Sequence, residues 1–207
     1  MSAATSLTNM RIIGLTGRAG AGKDTVATML SVACCARSLS TMQMAFADPI
    51  RWMLASIGVP EQYMSDRELK EQPVPGFNAS YRHMAQTLGD WGRENNGAQF
   101  FVQRMAARLG RMTEGSVAQR LPDVLIVTDV RFANEAAMLT ALGGRIVRVE
   151  RHAALAVRDH GSERQHVSSH HLLQNNGSLD ELRTAVDTLT TALLADTRLH
   201  ASQGAAA

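Results

Sequence analysis

Apolar residues recur along this chain with two spacings that alternate. Short apolar runs mark strands: Arg11–Thr16 (RIIGLT), Val124–Val127 (VLIV) and Ile146–Val149 (IVRV), with Thr41–Ala45 as a further candidate. Between them lie segments of helical spacing. Asp24–Ser38 places Val26, Met29, Leu30 and Ala33 on one side. Asp48-Pro49 is a helix start, with Asp as the cap and Pro at the first position, and that helix runs to about Ile57. Asn78–Asn95 carries Met84, Leu88 and Trp91, and Ala98–Met112 carries Phe101, Met105 and Leu109. Phe132–Leu142 is stopped by Gly143-Gly144, and Leu179–Leu194 closes the series. Residues 58–77, rich in Gly and Pro around a charged patch from Asp66 to Glu71, predict a loop region with one short helix. Strands alternating with helices predict an α/β fold, a parallel sheet with helices on both faces. Residues 11–195 are expected to form one domain, with loose ends over 1–10 and 196–207.

Composition narrows the class. The chain has 207 residues, 45% of them apolar and 19% charged, which suits a globular domain. Its net charge of +2 gives no argument for a nucleic-acid or membrane partner, and neither is expected. No apolar run approaches the ~18 residues of a membrane span. The first ten residues lack the basic and apolar regions of a signal peptide. Cys34 and Cys35 are adjacent and cannot pair without severe strain. A reducing, cytoplasmic setting is therefore expected.

The candidate chemistry starts just after the first strand. Gly17-Arg18-Ala19-Gly20-Ala21-Gly22-Lys23-Asp24-Thr25 fits G-x-x-x-x-G-K, a phosphate-binding loop between a strand and a helix. Its glycines let backbone amides approach phosphate oxygens, the helix start adds unpaired N–H groups, and Lys23 adds a full charge. The Ser/Thr that normally follows the lysine and binds Mg²⁺ is here Asp24, with Thr25 one position later. Mg²⁺ prefers oxygen ligands, so Asp24 is a candidate ligand and Thr25 the alternative.

Three further groups of residues draw notice. Asp129 follows the Val124–Val127 run, where an acid would sit near Mg²⁺; it would equally serve as the cap of the next helix. Arg131, two residues on, lies on the same rim and is able to reach a phosphate or a surface carboxylate. Arg82, Gln86 and Arg93 are spaced by four and seven, so they share a helix face with Asp90 near it. Such a face would read a phosphomonoester and a base, or be an ordinary solvated face. Arg148, Arg151, Arg158 and Arg164, with His152, His160 and His166, form a basic polar segment suited to a lid or to an exposed loop. The histidines, with His170 and His171, match no structural-zinc spacing.

These pieces occur in an order that resembles the bacteriophage-type deoxynucleoside monophosphate kinases, within the P-loop nucleoside monophosphate kinase group. The matching segments are GKDT at 22–25, Phe46-Ala-Asp-Pro-Ile50, Gln86-Thr-Leu-Gly89 to Arg93, Thr128-Asp-Val-Arg-Phe-Ala-Asn-Glu135, Gly143 to Arg148, Asp159 to Glu163, and Asn175-Asn-Gly-Ser178. The resemblance implies about five parallel strands flanked by helices, the fifth near His171–Gln174. It also implies a helical monophosphate-binding insertion over about 48–115 and a short lid over about 151–168. It implies transfer of the γ-phosphoryl of ATP to a deoxynucleoside 5′-monophosphate with Mg²⁺. The ATP-binding role then falls on Gly17 to Thr25 and the acceptor role on Arg82, Gln86, Arg93 and Arg131. Lys23, Arg131 and Arg151 take the catalytic roles, Asp24 and Asp129 the metal, and Arg158 a further lid role. How ribose is discriminated is left open, with Trp91 or Tyr81 near the sugar C2′ as candidates. The bases accepted are left open, as is a homodimer. A P-loop kinase for another phosphorylated acceptor, of dephospho-coenzyme A or phosphomevalonate type, is the nearest alternative. A nucleotide-binding regulatory module is the next, and a nucleic-acid-binding protein the third.

Overall fold

The computed structural model describes residues 10–114, 121–152 and 167–203. Five strands form one parallel sheet: β1 (Arg11–Thr16), β2 (Thr41–Met44), β3 (Val124–Val127), β4 (Arg145–Glu150) and β5 (His171–Gln174), in the order β2-β3-β1-β4-β5. β1 is central, with Ile13 opposite Ile126 of β3 on one side and Arg145 of β4 on the other. The helices are α1 (Lys23–Cys35), α2 (Asp48–Ser56), α3 (Glu61–Ser65), α4 (Tyr81–Asn96), α5 (Phe100–Glu114), α6 (Ala133–Ala141) and α7 (Leu179–Gln203), with a 3₁₀ turn at Leu69–Glu71. The predicted α/β class and five-stranded parallel sheet are thus present.

The chain divides into two compact units, one made of the residues up to Ala45 and from Arg108 onward, the other of Phe46–Ala107. In the first, strand alternation sorts the core. Ile13 and Leu15, Val124 and Ile126, and Val147 and Val149 join one cluster with Val26 and Leu30 of α1 and Leu182, Val186 and Leu193 of α7. The intervening positions face the other way, where α6 packs against β1 and β4. There Gly14 is a deliberate thin point. A Cβ on it would lie 2.7 Å from Ile146 Cδ1 and 3.0 Å from both Leu139 Cδ1 and Val130 Cγ2.

The second unit contains α2 to α4 and the start of α5. Ser80 caps α4, its hydroxyl accepting from His83 N at 3.2 Å. Within α4, Gly92 makes room for aromatic rings: a Cβ there would sit 2.9 Å from the Phe101 ring and 3.1 Å from the Phe100 ring. Those two rings meet edge-on, 5.1 Å apart.

Some elements differ from expectation. The 58–77 region holds α3 and the 3₁₀ turn rather than one short helix. Asp48 is the first helical residue of α2 and not its cap; Ala47 takes the cap position. α7 runs to Gln203, past the Leu194 that periodicity suggested, because neither Gly nor Pro interrupts the chain before Gly204. Among the described residues no helix is long and apolar enough to cross a membrane.

Arg37, just past the end of α1, ties that helix to α7. Its Nη1 donates to Ala33 O at 2.9 Å and to Asp187 Oδ1 at 2.7 Å, and its Nη2 donates to Thr191 Oγ1 at 2.9 Å. The hydrogen bond from Arg37 holds the Asp187 carboxyl below the usual aspartate range. A depressed folded-state value contributes stability above the unfolded pKa of about 3.9 and loses it as pH falls through the folded value. Asp187→Asn should therefore melt slightly below the wild type at pH 7. The gap in Tm should shrink as the pH drops below about 4. A gap that stayed constant from pH 7 to pH 2.5 would refute this linkage.

Candidate functional site

β1 ends at Thr16, and the chain must leave the sheet and enter α1 within six residues, 17–22. Gly17, Gly20 and Gly22 take positive φ values of 137°, 78° and 94°, which L side chains rarely adopt. Two of them are also pressed against neighbours. A Cβ on Gly17 would lie 2.2 Å from Val149 O, and one on Gly22 would lie 2.4 Å from Asn175 Nδ2. The loop is therefore glycine-rich for two separate reasons, handedness and lack of room.

α1 then starts without a side-chain cap: its cap residue is the left-handed Gly22. The N–H groups of Lys23, Asp24 and Thr25 have no acceptor inside the helix and lie at its positive end. Lys23 folds back over the loop, its Nζ donating to Gly17 O at 2.7 Å and Arg18 O at 2.9 Å. The ring of Gly17, Arg18, Ala19, Gly20, Ala21 and Gly22 is thus closed by a cation. Such a cradle suits an anion with several oxygens.

Other candidate residues gather at the carboxyl ends of neighbouring strands, where open parallel sheets bind ligands. Asp129 follows β3, which pairs with β1, and is only 6% exposed. Thr128 N donates to Met44 O and Val130 N to Leu15 O, both at 3.0 Å, so Asp129 lies between two residues tied to β2 and β1. The cap position of α6 is Phe132. The carboxylate that serves this helix start is the buried Glu135, whose Oε2 accepts from Arg131 N at 2.8 Å and Phe132 N at 3.1 Å. Glu135 thereby fixes the backbone of Arg131, whose side chain is exposed. Sequence reading missed this job, although an acid three residues past a helix entry was its signal.

Asp24 and Thr25 are both exposed in the first turn of α1. Like Asp129, both offer oxygen, the donor Mg²⁺ prefers, so the chemistry of these three side chains would suit that ion. Among the described residues no group of three or more His, Cys, Asp or Glu stands close enough to hold a metal alone. Any Mg²⁺ would then depend on ligand oxygens for part of its shell, as it commonly does at phosphate sites.

Arg151 follows β4 and is exposed. Arg148 has a structural task instead: within β4, its Nη2 donates to Val167 O. Arg158, Arg164, His160 and His166, and most of the segment expected as a lid, lie outside the described residues.

Of the acceptor candidates, Arg131 belongs to the first unit and Arg82, Gln86 and Arg93 to the second. On α4 the helical period brings Arg82, Gln86, Gly89 and Arg93 onto one stripe about 16 Å long. Arg82 is ion-paired through Nε with Glu71 Oε1. Arg93 donates from Nη1 to Gly89 O at 3.0 Å and lies 4.8 Å over the Phe101 ring. Gln86 is half-buried between them. The sugar discriminators fare differently. Tyr81 is only 8% exposed, and Trp91 falls about half a turn away from the Arg82–Arg93 stripe. Neither shares that stripe.

No family model matches the chain. It is similar to a protein of Acanthamoeba polyphaga mimivirus provisionally named a deoxynucleotide monophosphate kinase. The two are 28% identical over 187 residues, which cover 86% of this chain and 94% of the relative. Among solved structures it is similar to Mycobacterium tuberculosis APS kinase CysC, in a cysteine-to-alanine mutant, with 14% identity and a TM-score of 0.43. That match covers 90% of this chain and 97% of the other.

The two reasons for glycine in the loop can be separated. Gly22 and Gly58 share a φ of 94°, but a Cβ on Gly58 meets nothing within 4 Å. Gly58→Ala should cost about 1–2 kcal/mol, the cost of left-handed backbone alone. Gly22→Ala should cost clearly more, since the Asn175 amide must also move. Equal urea midpoints for the two variants would show that close approach contributes nothing.

Proposed function

We propose that this chain transfers the γ-phosphoryl group of ATP to a deoxynucleoside 5′-monophosphate, forming the diphosphate and ADP. The carrying observation is the cradle between β1 and α1: a glycine ring closed by Lys23, ahead of an uncapped helix start. The mimivirus relative, similar over most of both chains, supports the acceptor class. In this reading the loop amides and Lys23 hold the β- and γ-phosphates. Arg131 and Arg151 neutralise charge as the phosphoryl group moves, and the stripe of Arg82, Gln86 and Arg93 takes the acceptor.

Little else is needed. Phosphoryl transfer is mostly positioning and charge neutralisation. The acceptor is already a phosphate anion, so no side chain has to remove a proton from it, and no phospho-enzyme forms. Asp24 or Thr25, with Asp129, would hold Mg²⁺, which would supply charge neutralisation to the phosphates. Glu71 has a place in this scheme. Its carboxylate occupies Arg82 in the way an acceptor phosphate would, so the acceptor has to displace it.

Two experiments test the reading. Lys23→Ala should lower ADP release with deoxynucleoside monophosphates by at least about a hundredfold, with Tm nearly unchanged. Full activity in the folded variant refutes the role of the loop. A panel of acceptors that stimulates release only with other phosphorylated compounds refutes the substrate class. Glu71→Gln should lower the KM for the monophosphate while leaving the KM for ATP as it was. An unchanged or higher acceptor KM would remove Arg82 from the acceptor site.

A further inference from the structure

The turn Asn175-Asn176-Gly177-Ser178 between β5 and α7 is built more tightly than a connection requires. At its start Asn175 N donates to Glu150 O at 2.7 Å, extending the β4–β5 ladder. At its end Ser178 and Glu181 cap each other's backbone: Ser178 N donates to Glu181 Oε2 at 2.7 Å and Glu181 N to Ser178 Oγ at 3.2 Å. Between these fixed points the two asparagine side chains reach out in different directions.

Asn175 is buried at 8% exposure, and its Nδ2 donates to Ala21 O at 2.8 Å. In a trans peptide the C=O and the following N–H point opposite ways. Pulling the Ala21 carbonyl toward Asn175 therefore turns the Gly22 N–H away from β5. That N–H belongs to the glycine that precedes the first-turn amides of α1, so its direction decides whether it joins them. The adjacent Asn176 is exposed, and its Oδ1 accepts from His152 N at 2.7 Å. It fixes the backbone one residue beyond Arg151. A single turn thus grips the phosphate loop with one side chain and the start of the Arg151 segment with the next.

We propose that Asn175 and Asn176 are positioning residues that register the phosphate loop and Arg151 against each other, so that both address the same triphosphate. Asn175 sets the direction of the Gly22 amide and acts on ATP affinity. Asn176 sets where Arg151 leaves the sheet and acts on the transfer step. This rests on the reading of the loop as an ATP site.

The test is calorimetry with ATP and with adenosine, followed by steady-state kinetics. Asn175→Ala should weaken ATP binding about tenfold, or ~1.4 kcal/mol, and leave adenosine affinity unchanged. A general loosening of the fold would weaken both ligands together. If Asn175→Ala does not fold, Asn175→Asp keeps the volume, removes the donor and should show the same selective loss. Asn176→Ala should lower kcat about fivefold, the size of one lost hydrogen bond, with ATP affinity intact. Asn176→Asp keeps the acceptor oxygen and should restore the rate. Wild-type protein that fails to bind ATP sinks the parent reading and this inference with it. Wild-type binding combined with unchanged ATP affinity in the Asn175 variants, or an unchanged kcat in Asn176→Ala, overturns this inference alone.

Discussion

Three backbone amides at the start of α1 have no acceptor within the helix, and no side chain caps them. Together they are a local excess of positive potential at the edge of the sheet. Much of the first unit is arranged to keep them so. β1 stops at Thr16, and the glycines turn the chain without presenting a side chain to the opening. Lys23 adds to the positive field instead of quenching it. Its ammonium is meanwhile satisfied by the Gly17 and Arg18 carbonyls, so the loop does not hold an unpaired charge while it waits for an anion.

The same economy operates among the arginines. Arg37 and Arg148 spend their donors on the fold, on Asp187 and Val167 O respectively. Arg131 and Arg151 are exposed at the ends of β3 and β4; the buried Glu135 fixes the backbone of Arg131, and the exposed Asn176 fixes that of His152, next to Arg151. In the second unit, Arg82 and Arg93 are held by a carboxylate and by a ring face, both of which a phosphate can outcompete or share. Sequence alone does not divide arginines in this way, because all of them are long, charged and on amphipathic elements.

What could be read from the chain follows from how local each feature is. The order of apolar strand, glycine loop and helix is written in fifteen consecutive residues, so it was legible, and so were α4, α5 and α6 from their periodicity. β5 has only four residues, HLLQ, and came from the resemblance rather than from any pattern of its own. Glu135 was passed over because its job depends on a backbone turn that sequence does not display. Asn175 was quoted as part of a motif but not given a role, since its partner Ala21 is 154 positions away. Trp91 is close to Arg93 in sequence but on another side of the helix, a matter of phase alone.

That long separation has a consequence for how the protein is made. A ribosome makes Ala21, within the glycine-rich segment, 154 residues before Asn175. Until β5 and the turn after it emerge, the nascent chain has the glycine loop but not the Asn175 hydrogen bond that fixes the Ala21 carbonyl. β1 likewise waits for both of its sheet neighbours, since β3 and β4 begin more than a hundred residues later. A ligand of this loop cannot then serve as an early scaffold for the fold; it can only stabilise a chain that has already closed.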